Sequence, residues 1–152
     1  MLIDGYNVIH AWGLDTSSLE NAREKLLHTL DNYAGYTGED ITVVFDGYNK
    51  KGPATEIQYG MLIVIYTAYG VTADIHIQRL VKIGGKSFKV VTADYLEQLS
   101  VFGSGAIRIT PEELKQLIRS AREKYIALLD RSSLKGADLK KRLALDAFDL
   151  TE

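Results

Sequence analysis

At 152 residues the chain has the length of one domain, enough to bury a core without a structural metal or disulfides. Its 46% hydrophobic and 25% charged residues exclude a disordered chain, and the lack of cysteine excludes disulfides, Cys-ligated zinc or iron–sulfur clusters and a thiol nucleophile. The net charge of −2 excludes a molecule that is basic throughout, yet residues 1–76 carry 4 Lys/Arg against 10 Asp/Glu while residues 77–152 carry 14 against 10. That asymmetry fits either an acidic site beside a basic flank or a solvated basic helix face. No apolar run approaches the ~20 residues of a membrane span, and no basic segment precedes the apolar start, so no membrane association and no targeting peptide are expected.

In chain order, short β-branched runs alternate with helical ones. Met1–Asp4 reads as the end of a strand. Thr16 to Tyr33 reads as a helix, with Ser17 and Glu20 as a capping box and Leu19, Ala22, Leu26, Leu30 and Tyr33 on one stripe; Gly35 and Gly38 are stop signals. Ile41–Phe45 is a near-continuous apolar strand, as expected when both faces are covered. Asp46 to Gly60, with Gly47, Gly52 and Pro53, reads as a long loop. Met61–Tyr66 is a third strand, Thr72 to Lys82 a helix, Phe88–Val91 a fourth strand, Asp94 to Phe102 a helix and Ala106–Ile109 a short fifth strand. Thr110-Pro111-x-Glu113 is a helix start of Thr cap, Pro at the first position and Glu three on, and this helix runs to about Arg131. Ser132, Ser133 and Gly136 interrupt it before a last helix over Asp138–Phe148. The alternation predicts βαβ units and a mostly parallel sheet. The expected organisation is one α/β domain over residues 1–131, with residues 132–152 a helical extension packed on or flanking it.

The acids fall at particular places. Asp4 follows the first strand, Asp46 the second, and Asp94 lies three residues beyond Val91; Asp74 opens the helix after the third strand. In an open parallel sheet the loops after the strands share one rim, where ligands bind. Carboxylates gathered there repel unless a cation or shared protons offset them, and oxygen-only ligands suit Mg²⁺ or Mn²⁺. One or two such ions would activate water and hold a phosphodiester. The plainer alternative is that each Asp caps a helix or opens a turn. In Asp4-Gly-Tyr-Asn7, Gly5 permits an unusual backbone angle, and the Asn7 amide either orients a carboxylate, water or phosphate oxygen or caps a helix begun by Val8-Ile9-His10.

Asp4-Gly-Tyr-Asn-Val-Ile, Val43-Val-Phe-Asp46, Thr72-Ala-Asp74, Thr92-Ala-Asp-Tyr95 with Glu97-Gln98, and Phe102-Gly-x-Gly-Ala-x-Arg108 resemble, in order and spacing, the YacP-like branch of the NYN-domain ribonucleases. The resemblance runs from Leu2 to the helix after Pro111. It implies a three-layer, Rossmann-like PIN/NYN fold and a metal-dependent endoribonuclease, in a branch that includes a ribosome-associated enzyme cutting messenger RNA. It carries Asp4, Asn7, Asp46, Asp74 and Asp94 over as catalytic positions, the four aspartates as ligands of Mg²⁺ or Mn²⁺, and it implies RNA as substrate, the ribosome as partner and a cytoplasmic location. The chain departs at Ile75, where the family often has Glu. One carboxylate fewer weakens the case for a second metal and admits an inactive RNA- or ribosome-binding relative. His76 replaces it poorly, because helix spacing turns it about 200° from Asp74.

Lys50, Lys51, Arg79, Lys82 and Arg108 are candidates to hold the RNA backbone, Arg108 by a bidentate phosphate pair or else as an ordinary surface arginine. Tyr6, Tyr48 and Tyr95 lie near the acids and either stack on bases or pack. Trp12 is expected to pack. Gly84-Gly85-Lys86-Ser87 lacks the earlier glycine of a phosphate loop, and Gly103-Ser-Gly105 follows a helix rather than a strand, so no nucleotide cofactor is expected. A phosphoacceptor switch would need a second acid beside Asp4, where Gly5 stands.

Overall fold

A computed structural model describes residues 1–47, 51–84, 88–94, 103 and 105–131. Its elements are β1 (Leu2–Asp4), α1 (Gly5–Ala11), α2 (Leu19–Thr37), β2 (Thr42–Phe45), β3 (Thr55–Tyr59), β4 (Leu62–Tyr66), α3 (Ala73–Gly84), β5 (Lys89–Val91), β6 (Ile107–Ile109) and α4 (Pro111–Arg131). The expected helix over Asp94–Phe102, the Gly84–Ser87 turn beyond Gly84 and the extension at 132–152 lie outside the described residues.

The sheet order is β3-β4-β2-β1-β5-β6, parallel throughout except for the antiparallel β3–β4 pair. Because successive side chains alternate sides, each strand feeds two cores. Ile3, Val43, Phe45, Leu62, Val64 and Val91 pack on the face carrying α1, α2 and α4. Leu2, Val44, Ile65 and Val90 pack on the other, with Ala73, Ile77 and Val81 of α3. Helices on both faces of a mostly parallel sheet give the expected three-layer α/β fold.

Several local expectations need correction. Asp46–Gly60 is not all loop: Thr55–Tyr59 forms β3, an exposed edge strand closed on β4 through a two-residue turn, Gly60-Met61, with Gly60 at φ 54°. The alternating Thr-Glu-Ile-Gln-Tyr run before a turn glycine was its signal; its polar composition reflects an edge that faces water. Helix α2 is capped by Ser18, whose Oγ accepts from the Asn21 N–H at 3.1 Å, not by Ser17, and it passes through Gly35 to end at Gly38, which is left-handed at φ 70°. Leu19 of the expected stripe is half exposed, whereas Ala22, Leu26, Leu30 and Tyr33 are buried. The Thr110 cap is as expected. Its Oγ1 accepts from the Glu113 N–H at 3.1 Å, and Glu113 Oε2 accepts from the Thr110 N–H at 2.7 Å. Trp12 packs on the core and donates Nε1–H to the Pro111 carbonyl at 2.9 Å.

Candidate active site

Strand β1 is central, and the chain moves to β2 and β4 on one side of it, then through α3 to β5 and β6 on the other. The carboxyl ends of β1, β2, β4 and β5 therefore flank the point where strand order reverses, the usual ligand crevice of such sheets. Asp4 closes β1, and Asp46, Asp74 and Asp94 follow the ends of β2, β4 and β5.

Asp4 is buried, 9% exposed, at the last position of β1. Its Oδ1 accepts from the Asn7 N–H at 3.1 Å and so caps α1. Gly5 enters α1 here for a reason other than an unusual angle. A Cβ at this position would overlap the Phe45 ring, so glycine lets the start of α1 settle onto β2. Burial raises the Asp4 carboxyl to about 6, partly opposed by the Asn7 N–H and reinforced by the negative charges of Asp46, Asp74 and Asp94. The four carboxylates thus share one electrostatic neighbourhood.

Each partner has its own local anchor. Asp46 Oδ1 accepts from the Ala73 N–H, which fastens the end of β2 to the start of α3. Asp74 lies in the first turn of α3, where Thr72 Oγ1 accepts from the Ile75 N–H at 3.3 Å, and Asp74 Oδ1 accepts from Gln78 Nε2 at 2.8 Å. Asp94 is exposed, its N–H donating to Thr92 Oγ1 at 3.1 Å. Asn7 is inside α1 rather than capping it: its Oδ1 accepts from the Ala93 N–H at 2.6 Å. Local hydrogen bonds at Asp4, Asp46 and Asp74 thus coexist with electrostatic reach from Asp4 to the other three acids.

Among the described residues, no three or more His, Asp or Glu side chains are close enough to one another to enclose a metal ion. The donor chemistry nevertheless fits a hard cation. Every candidate is an oxygen ligand, and the buried Asp4 carboxylate faces three further negative charges. Ile75 leaves no carboxylate beside Asp74 and is 39% exposed. His76 is half-buried, and burial together with Arg79 lowers its pKa, so it is neutral at pH 7.

The basic candidates sit on several elements, and Lys82 lies in the last turn of α3, away from the rim at which that helix begins. Lys51 is exposed on the segment leading to β3, Arg79 and Lys82 are exposed on α3, and Arg108 is exposed on the edge strand β6. Lys50, Tyr48, Tyr95, Glu97 and Gln98 lie outside the described residues. A cation overlooked in the sequence is Arg23 of α2, whose Nη1 donates to the Tyr6 hydroxyl at 2.8 Å. Nothing near it in sequence marked it as facing α1. Tyr6 itself packs on Phe45, with ring centroids 5.0 Å apart.

A parallel α/β sheet of this order, with carboxylates at its carboxyl rim, is a PIN-like nuclease fold. The chain belongs to the YacP-like NYN domain family, whose family model matches residues 1–150. The protein named "Uncharacterized protein YacP" of Bacillus subtilis (strain 168) is 37% identical over 121 residues, which span 75% of this chain and 71% of that protein. The crystal structure of Rae1 (YacP) from Bacillus subtilis is similar at a TM-score of 0.71 and 31% identity, covering 95% of this chain and 86% of that one. The structure of its W164L mutant gives the same TM-score and identity, covering 95% of this chain and 89% of the other. No helix among the described residues is long and apolar enough to cross a membrane.

Proposed function

We propose that the chain is a divalent-metal-dependent endoribonuclease that hydrolyses RNA phosphodiester bonds, acting on messenger RNA in association with the ribosome in the cytoplasm. The observation that carries the catalytic part is the buried Asp4 carboxylate, at the end of the central strand and within the field of Asp46, Asp74 and Asp94. Membership in a nuclease-fold family supports it. The messenger, ribosome and cytoplasm rest on the family resemblance of the motifs quoted above.

In this reading Asp4, Asp46, Asp74 and Asp94 hold Mg²⁺ or Mn²⁺ directly or through water. The ion, when bound, supplies a water of lowered pKa and offsets the charge that builds on the phosphate oxygens. Asn7, with Oδ1 committed to Ala93, has its Nδ2 donors left to orient water or a phosphate oxygen. Asp46 holds the start of α3 and so sets where Asp74 stands. Lys51, Arg79, Lys82 and Arg108, with Lys50, attract the RNA backbone toward a rim that would otherwise repel it. The products carry 5′-phosphate and 3′-hydroxyl ends.

The competing reading is an RNA- or ribosome-binding module of the same fold that does not cut. Ile75 favours it, since a family carboxylate is missing there. Cleavage of single-stranded RNA with Mg²⁺ or Mn²⁺, compared between the native chain and Asp4→Asn, decides between them. The enzyme reading expects metal-dependent cleavage that EDTA abolishes and Asp4→Asn reduces at least a hundredfold. Equal cleavage by both proteins, or none by either, overturns it.

A further inference from the structure

Next to the acidic rim lies a groove of about 860 Å³, within the range of small-ligand sites. Tyr6 and His10 of α1, Leu19 and Arg23 of α2, and Thr55 and Tyr66 at the open end of the β3–β4 hairpin line it. Asp46 also lines it, so the groove reaches one of the four carboxylates, while no residue of α3 lines it.

The groove has the chemistry of a nucleotide site. Among the described residues, Arg23 has no carboxylate within ion-pair distance, although Glu20 adds a favourable charge at longer range, and the acceptor it engages is the Tyr6 hydroxyl. A guanidinium has five N–H donors, so one bond to Tyr6 leaves it able to take a phosphate in fork geometry. Tyr6 and Tyr66 are half-buried, and both rings rest on Phe45, at 5.0 and 5.6 Å between centroids. Rings braced from behind can stack on a base with little further loss of freedom. Asp15 pairs with His10 at 2.8 Å.

We propose that this groove seats a nucleotide of single-stranded RNA adjacent to the scissile phosphate, with Arg23 contacting the backbone phosphate, Tyr6 positioning Arg23, and the rings of Tyr6 and Tyr66 offering a face to the base. The inference rests on the endoribonuclease reading above and names where that substrate lies. It places the strand on the α1–α2 side of Asp46, whereas Arg79 and Lys82 would draw it over α3. The bland account of the Arg23–Tyr6 bond is that it only fastens α2 to α1.

The salt dependence of binding separates these accounts, because a fastening bond contributes no phosphate contact. The probe is a labelled single-stranded RNA of mixed sequence, followed by fluorescence anisotropy in EDTA, where binding is read whether or not the chain can cut. Arg23→Gln is expected to weaken binding about tenfold at low salt and to make the slope of log K against log salt shallower by about 0.7, the loss of one single-strand phosphate contact. Tyr6→Phe keeps the ring but frees the guanidinium, and is expected to weaken binding by about threefold. Unchanged affinity and slope in an Arg23→Gln protein that melts like the native one overturn the inference. Should Arg23→Gln fail to fold, amide shifts of the native chain titrated with the same RNA decide. Changes at Leu19, Arg23 and Thr55 support the groove, and changes confined to α3, or no binding, overturn it. Groove-centred binding with no cleavage in either metal would overturn the nuclease reading while leaving the RNA site in place.

Discussion

Asn7 accepts a hydrogen bond from the Ala93 N–H at 2.6 Å, joining residues 86 positions apart in sequence. One side of this bond is three residues from Asp4 and the other is beside Asp94. The β1–β5 ladder already fixes the spacing of the two strands, so this amide ties the first turns of α1 to the segment after β5 that carries Asp94, one of the four candidate metal ligands.

Asn7→Ala should remove that tie. The expected result is a loss of about 1 kcal/mol of stability, as for one hydrogen bond, and a fall in Mn²⁺ affinity of about 10- to 100-fold, as for other groups that orient ligands. Urea unfolding and titration calorimetry with Mn²⁺ measure the two effects. A normal Mn²⁺ affinity would show that the tie between α1 and the segment after β5 does not matter to the metal.

The raised carboxyl of Asp4 predicts a pH dependence of stability in the metal-free chain. In the unfolded chain Asp4 releases its proton near 3.8, in the folded one near 6, so the native state binds more protons between these values. Stability is thus fully present below about pH 4 and is lost as pH rises through 6, by about 3 kcal/mol in all. His76 works in the opposite sense over part of this window, because its lowered pKa makes the fold gain stability as pH rises through its range. Asp15 and Glu113, with lowered pKa values, act only toward more acid pH. Thermal melts of His76→Gln in EDTA from pH 4.5 to 7.5 should show the fall; adding Asp4→Asn should flatten it, and Mn²⁺ should restore stability on the alkaline side.

Gly5→Ala should destabilise through its clash with the Phe45 ring, by about 1–3 kcal/mol. Phe45→Leu in the same chain should return part of the loss, because the smaller side chain makes room for the new methyl. Denaturant midpoints of the two single variants and the double variant form the cycle that tests it; strictly additive losses would place the strain elsewhere.

Ile75→Glu supplies the carboxylate that the family resemblance leads one to expect beside Asp74. It adds negative charge at the N-terminal turn of α3, where the helix dipole favours it, so the fold should tolerate it. Mn²⁺ binding should tighten by roughly tenfold, since affinity in such sites follows the number of charged ligands. Calorimetry reads both affinity and stoichiometry, and an unchanged isotherm would mean that position 75 faces away from the ions.

Much of the fold was legible because its signals are local. Strands β1, β2 and β4 are apolar runs bounded by acids or glycine, and the Thr110–Glu113 box starts α4 where the sequence alone places it. Strand β3 escaped because an edge strand carries no buried run, and Gly60 reads equally as loop until its partner is known. The cap of α2 moved by one residue because Ser17 and Ser18 are chemically equal and only backbone geometry chooses between them. Among the site residues, the acids stood out by position, whereas Arg23 did not, since nothing near it in sequence marks it as facing Tyr6.

From the residues alone one can derive the alternation of strands and helices, the carboxylates at strand ends and the oxygen-only character of any metal site, because each follows from local periodicity and side-chain chemistry. Folding in three dimensions decided which charges feel one another, that Gly5 yields space to Phe45, that Asn7 reaches Ala93, and that a groove with Arg23 on its wall opens beside Asp46. These depend on register and packing between segments far apart in the chain, where an ångström of displacement makes or breaks a contact and no neighbouring residue records it.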